Sequence, residues 1–162
     1  MPITKAKKQD IVKGLSGDLK GMNSIVFVHF KKLSVKDTTE LRRKLRSQNV
    51  AYKVAKKTLI KRALDGFNFT GEIPVLDGEI AMAYGDDLLT PAREVYEFQK
   101  MHKDGLQIVG GVFEGKYMDQ EAMLSIATIP PMQVLRGQFV NLINSPIQGL
   151  VLALNAVAEK KA

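Results

Sequence analysis

ELRRKLRSQNVAYKVAKKTLIKRAL, residues 40–64, decides the fold. Leu41 and Leu45 stand four apart with Thr38 one turn earlier, and at the 100° step of an α-helix these three share a face. Arg42, Arg43 and Arg46 then fall on roughly the opposite side. Ser34, three residues before Asp37, is a cap signature, so the spacing predicts a helix that runs to about Ser47. YKVA (Tyr52–Ala55) predicts a short strand. A second helix follows to about Leu64, with Leu59, Ile60, Ala63 and Leu64 inward and Lys57 and Lys61 one turn apart outside.

The flanks repeat this alternation. Residues 5–20 predict a helix through Ile11, Val12, Leu15 and Leu19, with Gly14, Gly17 and Gly21 expected to fray or bend it. Ile25–Lys31 predicts a buried strand, residues 67–78 a loop around Gly71, Pro74 and Gly78, and Ile80–Gly85 a third strand. Thr90 with Pro91 is the expected cap of a helix to about Lys103. Residues 106–118 predict a fourth strand and a turn at Gly115, and 119–127 a short helix ended by Pro130–Pro131. The expected class is α/β, an α+β sandwich with a mixed sheet of about four strands flanked by helices, followed by a C-terminal helical extension. The expected division is 1–130, a basic RNA-binding domain, and 131–162, a helical tail broken once at Asn144–Ser145–Pro146.

Charge divides the chain more sharply than composition does. Residues 1–62 carry 17 lysines and arginines against four acids, a local charge of +13. The remaining hundred carry 7 basic and 13 acidic residues, a charge of −6, so the net +7 conceals a segregated field. Such a field points to a polyanionic partner. Lys7, Arg42, Arg43, Arg46, Lys53, Lys56, Lys57 and Lys61 are the candidate RNA-binding residues, because guanidinium forks and ammonium groups hold phosphate. Phe27, Phe30 and Tyr52 fall in strand patterns and are expected in the core, which favours folded RNA read by backbone and shape over stacked single strands.

The other end is apolar. In Pro146–Ala158 only Gln148 and Asn155 are polar. A helix apolar nearly all round must be covered, either by the domain core or by a partner. Ile147, Leu150, Val151, Leu154 and Val157 are the candidate partner-binding residues, and Leu135, Phe139, Leu142 and Ile143 form an earlier apolar stripe. Broken at Pro146, the tail offers no run of about 20 apolar residues, so no membrane is expected.

Other chemistry finds little support. The chain has no Cys. Two isolated histidines, His29 and His102, make a poor metal site. No catalytic residue, metal or cofactor is expected, and a reducing cytoplasm is compatible with the composition. Asp86 and Asp87 after the third strand are the only candidates for an RNA-modifying or phosphate-transferring enzyme. Gly14–Leu15–Ser16–Gly17 matches the GXXG of a KH loop, a pattern frequent by chance.

ELRRKLR followed by YKVAKKTLIKRAL resembles the bacterial large-subunit ribosomal protein L-ten family, the stalk-base proteins. The resemblance continues through GEIAMAYGDDLLTPAREVYEF, LQIVGGVFEGKYM, LSIATIPP and SPIQGLVLALNAVAEKKA, essentially the whole chain. It implies an N-terminal domain docked on large-subunit ribosomal RNA beside ribosomal protein L-eleven. It also implies a C-terminal helix holding acidic stalk-protein dimers, two for a tail of this length, which recruit translational GTPases in the cytoplasm. The family binds its own messenger in some members. Lys57 stands where the family has Asn, so Thr58 is expected to cap the following helix.

Overall fold

The computed structural model of the chain describes residues 4–31, 33–67, 69–102 and 105–161. It divides into two compact units, Met1–Ile129 and Pro130–Ala162.

The first unit is a sheet with helices on both faces. Its elements are α1 (Lys5–Leu19), β1 (Ser24–Phe30), α2 (Val35–Ser47), β2 (Ala51–Val54), α3 (Lys57–Leu64), β3 (Ile80–Gly85), α4 (Thr90–Met101), β4 (Leu106–Phe113), β5 (Lys116–Asp119) and α5 (Gln120–Ala127). The strand order is β2-β3-β1-β4-β5. The strands number five and every ladder between them is antiparallel, where the sequence predicts about four in a mixed sheet. Glu114 and Gly115 both take positive φ, the geometry of a two-residue hairpin turn, and that turn returns the chain as β5. A four-residue, half-exposed strand carries no apolar alternation of its own.

β1 is central and apolar on both sides because both sides are covered. Val26 and Val28 pack with Leu41 and Leu45 of α2, Val95 and Phe98 of α4 and Met123 of α5. Ile25 and Phe27 pack on the other face with Leu15 and Leu19 of α1 and Ile60 and Leu64 of α3. Gly111 of β4 allows this closeness: a Cβ there would lie 2.4 Å from the Ile25 carbonyl and 2.0 Å from the Met123 methyl.

α1 runs unbroken through Gly14 and Gly17, so the GXXG match lies inside a helix and forms no loop. Ser34 accepts a hydrogen bond from the Asp37 backbone N–H at 3.2 Å, the predicted cap. At α4 the capping position is Leu89, not Thr90. Thr90 occupies the first turn and donates its hydroxyl proton to Asp87. α4 ends at Met101, and Lys103 lies outside the described residues.

The second unit is one helix, α6 (Met132–Lys161), with Pro146 inside it. The predicted break at Asn144–Ser145–Pro146 is absent. A proline removes one backbone donor and crowds the carbonyl four residues back, and the helix carries that local cost without ending. Being continuous, Met132–Glu159 is long and apolar enough to cross a membrane by length and composition, which the broken tail was not.

Candidate nucleic-acid interface

α2 sets the first cluster. Leu41 and Leu45 are fully buried, which fixes the helix rotation and turns Arg42, Arg43 and Arg46 to solvent. Like charges one turn apart oppose each other, but Lys44 and Arg46 lie in the last turn, where the macrodipole favours cations. Asn49 follows in the left-handed conformation (φ 56°), a common helix stop that Asn tolerates, and delivers the chain into β2. A groove results between α2 and β2. Arg42, Arg43, Arg46, Asn49 and Tyr52 line it.

Tyr52 is the groove's apolar wall rather than core. It is half-buried, and the Arg42 guanidinium lies 5.9 Å from its ring centroid. Burial pushes its hydroxyl up to about 12, with Arg42 pulling the other way. The sequence missed the contribution of Asn49, though an Asn just after a basic helix end is a recognisable stop.

α3 sets the second cluster, on the opposite face of the sheet. Leu59, Ile60, Ala63 and Leu64 are buried and Lys57 and Lys61 are exposed, as the spacing predicts. Lys56 holds the capping position with no side-chain cap among the described residues, and Lys57 is the first helical residue. Thr58 sits inside the first turn and does not cap. A positive helix end thus carries two extra cations, an arrangement that costs the helix free energy and creates a local site for anions. Lys7 is exposed on α1, which packs against α3.

The predicted residues therefore do not form one patch on neighbouring helix faces. Arg42, Arg43 and Arg46 lie on one side of the sheet. Lys56, Lys57, Lys61 and Lys7 belong to the α1–α3 layer on the other. The edge strand β2 joins them. Lys53 of β2 is already engaged: its ammonium donates to the Asp18 carboxylate of α1. That bond, above all, raises the Lys53 pKa.

The remaining candidates are placed by ordinary local contacts. Asp87 accepts from Thr90, and the Asp86 carbonyl accepts from the Asn23 side chain at 3.1 Å. His102 stacks on Phe98, and the His29 ring packs against Gly78. Among the described residues no three His, Cys, Asp or Glu side chains are grouped to hold a metal ion.

α6, taken by itself, has no core. Ile147, Leu150, Val151, Leu154 and Val157 repeat at helical spacing, and each is more than half exposed. Phe139, Leu142 and Ile143 of its first half are exposed to a similar degree.

Comparison with known proteins agrees in scale and kind. Residues 3–100 match the family described as Ribosomal protein L10. The chain is 35% identical over 155 residues to large ribosomal subunit protein uL10 of Bacillus licheniformis, covering 95% of this chain and 93% of that one. It is 36% identical to the protein of the same name from Shouchella clausii, covering 96% and 93%. The Paraburkholderia phymatum protein of that name is 33% identical and covers 99% and 97%.

Proposed function

We propose a function from one premise: the chain belongs to the ribosomal protein L10 family, and so is a structural protein of the large ribosomal subunit rather than an enzyme. Within the cytoplasmic ribosome it binds large-subunit ribosomal RNA through its first unit and anchors two acidic stalk-protein dimers on α6. Ribosomal protein L-eleven is its neighbour, and translational GTPases reach it through the dimers.

The observation that carries the RNA reading is the cluster of Arg42, Arg43 and Arg46, turned outward by buried Leu41 and Leu45. Lys7, Lys56, Lys57 and Lys61 extend the cationic surface around the β2 edge. Lys53 takes part only after leaving Asp18. For the tail, the support is a 30-residue helix whose apolar residues need a cover. Ile147, Leu150, Val151, Leu154 and Val157 are the proposed contacts.

Charge reversal tests the RNA half. Changing Arg42, Arg43 and Arg46 to Glu leaves circular dichroism unchanged, because all three side chains are exposed, and abolishes binding to deproteinised large-subunit ribosomal RNA. Retained affinity in the folded variant overturns the reading.

A further inference from the structure

A cleft of about 710 Å3 lies between α1, α3 and the start of β3, away from the arginine groove. Its size is that of an ordinary small-ligand site. The walls are apolar: Ile11, Phe30, Ala55, Leu59 and Ile80. Phe30 is only half-buried there, in contrast to Phe27, which is fully buried in the core. The rim is cationic. Lys56 and Lys57 line the cleft and open α3 at its positive end, while Lys7 and Lys8, outside the lining, precede Ile11 by one turn of α1. Glu79 is the one carboxylate in the lining.

We infer that this cleft receives one unstacked nucleotide of the bound RNA, its base against Phe30 and its phosphate on Lys56 and Lys57. The inference rests on the RNA-binding reading and deepens it. An aromatic face beside aliphatic walls suits a base, whose faces are apolar and whose edge is polar. The uncapped end of α3 and its two lysines suit the attached phosphate. Glu79 at the rim supplies an acceptor for amino groups on the base edge. An apolar protein segment would fill the walls equally well but leave Lys56 and Lys57 at the cleft without anionic partners, which is why a nucleotide fits better. The sheet face explains why sequence hides the site. Phe30 ends a buried strand and reads as core, and Ile11 and Leu59 come from helices 48 positions apart.

The test is ultraviolet cross-linking of the full chain to deproteinised large-subunit ribosomal RNA, with adducts mapped by mass spectrometry. The expected result is a nucleotide adduct on Phe30. In parallel, Phe30→Ala weakens binding roughly tenfold with an unchanged slope of log affinity against log salt, since a base contact and no phosphate contact is lost. Lys56→Ala with Lys57→Ala lowers that slope. If the RNA binds in an Arg42-dependent way, while Phe30 carries no adduct and Phe30→Ala binds as wild type, the inference is overturned and the cleft belongs to a protein segment. If the wild-type chain binds no RNA, the underlying reading falls with it.

Discussion

Lys53 of the edge strand donates to the carboxylate of Asp18, 35 positions earlier on α1. This bond ties the N-terminal helix to the open edge of the sheet. It also places a charge on a strand that would otherwise present bare backbone to other chains. Its strength is modest, because both side chains are partly exposed.

Asp18→Asn lowers stability by less than about 1 kcal/mol at neutral pH. Hydrogen bonding to Asp18 holds the folded Lys53 pKa above its ordinary value. The stabilisation is therefore complete below the ordinary lysine value and disappears as pH rises through the raised one. Urea unfolding of both proteins at neutral and strongly alkaline pH shows the difference closing. A difference that persists in alkali refutes the ion pair.

Tyr52 titrates late, at about 12, because burial disfavours its phenolate. The unfolded tyrosine ionises first, near 10, so the folded state loses stability as pH climbs from about 10 towards 12. Tyr52→Phe flattens that decline. Arg42→Ala delays the ionisation further, since the guanidinium now assists it, and the tyrosinate absorbance titration reports the shift directly.

Much of this architecture is legible in the residues. Leu41 and Leu45 announce α2, Ser34 its cap, and the apolar run at 25–28 a strand covered on both faces. What escapes is long-range. A strand at YKVA puts Tyr52 and Lys53 on opposite faces, but nothing local shows that one meets Arg42 and the other Asp18. The two basic helices look adjacent because they are adjacent in sequence, yet a strand between them puts them on opposite sides of the sheet. Pro146 reads as a break because a single residue's propensity is visible, while the continuity of the turns around it is not.

Gly111→Ala destabilises the first unit by about 2 kcal/mol or more, because the new methyl meets the Ile25 carbonyl of the central strand, which cannot turn aside as Met123 can. Guanidinium unfolding measures it. A loss below about 0.5 kcal/mol, the ordinary range of surface changes, would show that β1 and β4 separate freely.

Lys56→Asp separates stability from function. An acidic cap satisfies free N–H groups at the start of α3 and complements its dipole, so the fold gains about 1 kcal/mol. RNA affinity falls at the same time, because a phosphate contact becomes a repulsion. Thermal melts and binding isotherms on one preparation check both signs. Weaker folding together with unchanged affinity would mean that Lys56 serves the fold alone.

The two-ended organisation is tested most directly by native mass spectrometry of the chain co-expressed with the acidic stalk protein, with and without residues 146–162. The buried core clusters lie wholly within residues 15–127, so the truncated chain keeps its fold. The full chain is predicted to carry two dimers, and the truncated chain to lose the contacts of Ile147, Leu150, Val151, Leu154 and Val157 while still binding ribosomal RNA. A truncated chain that retains the full complement of dimers, or that no longer binds RNA, would contradict the account.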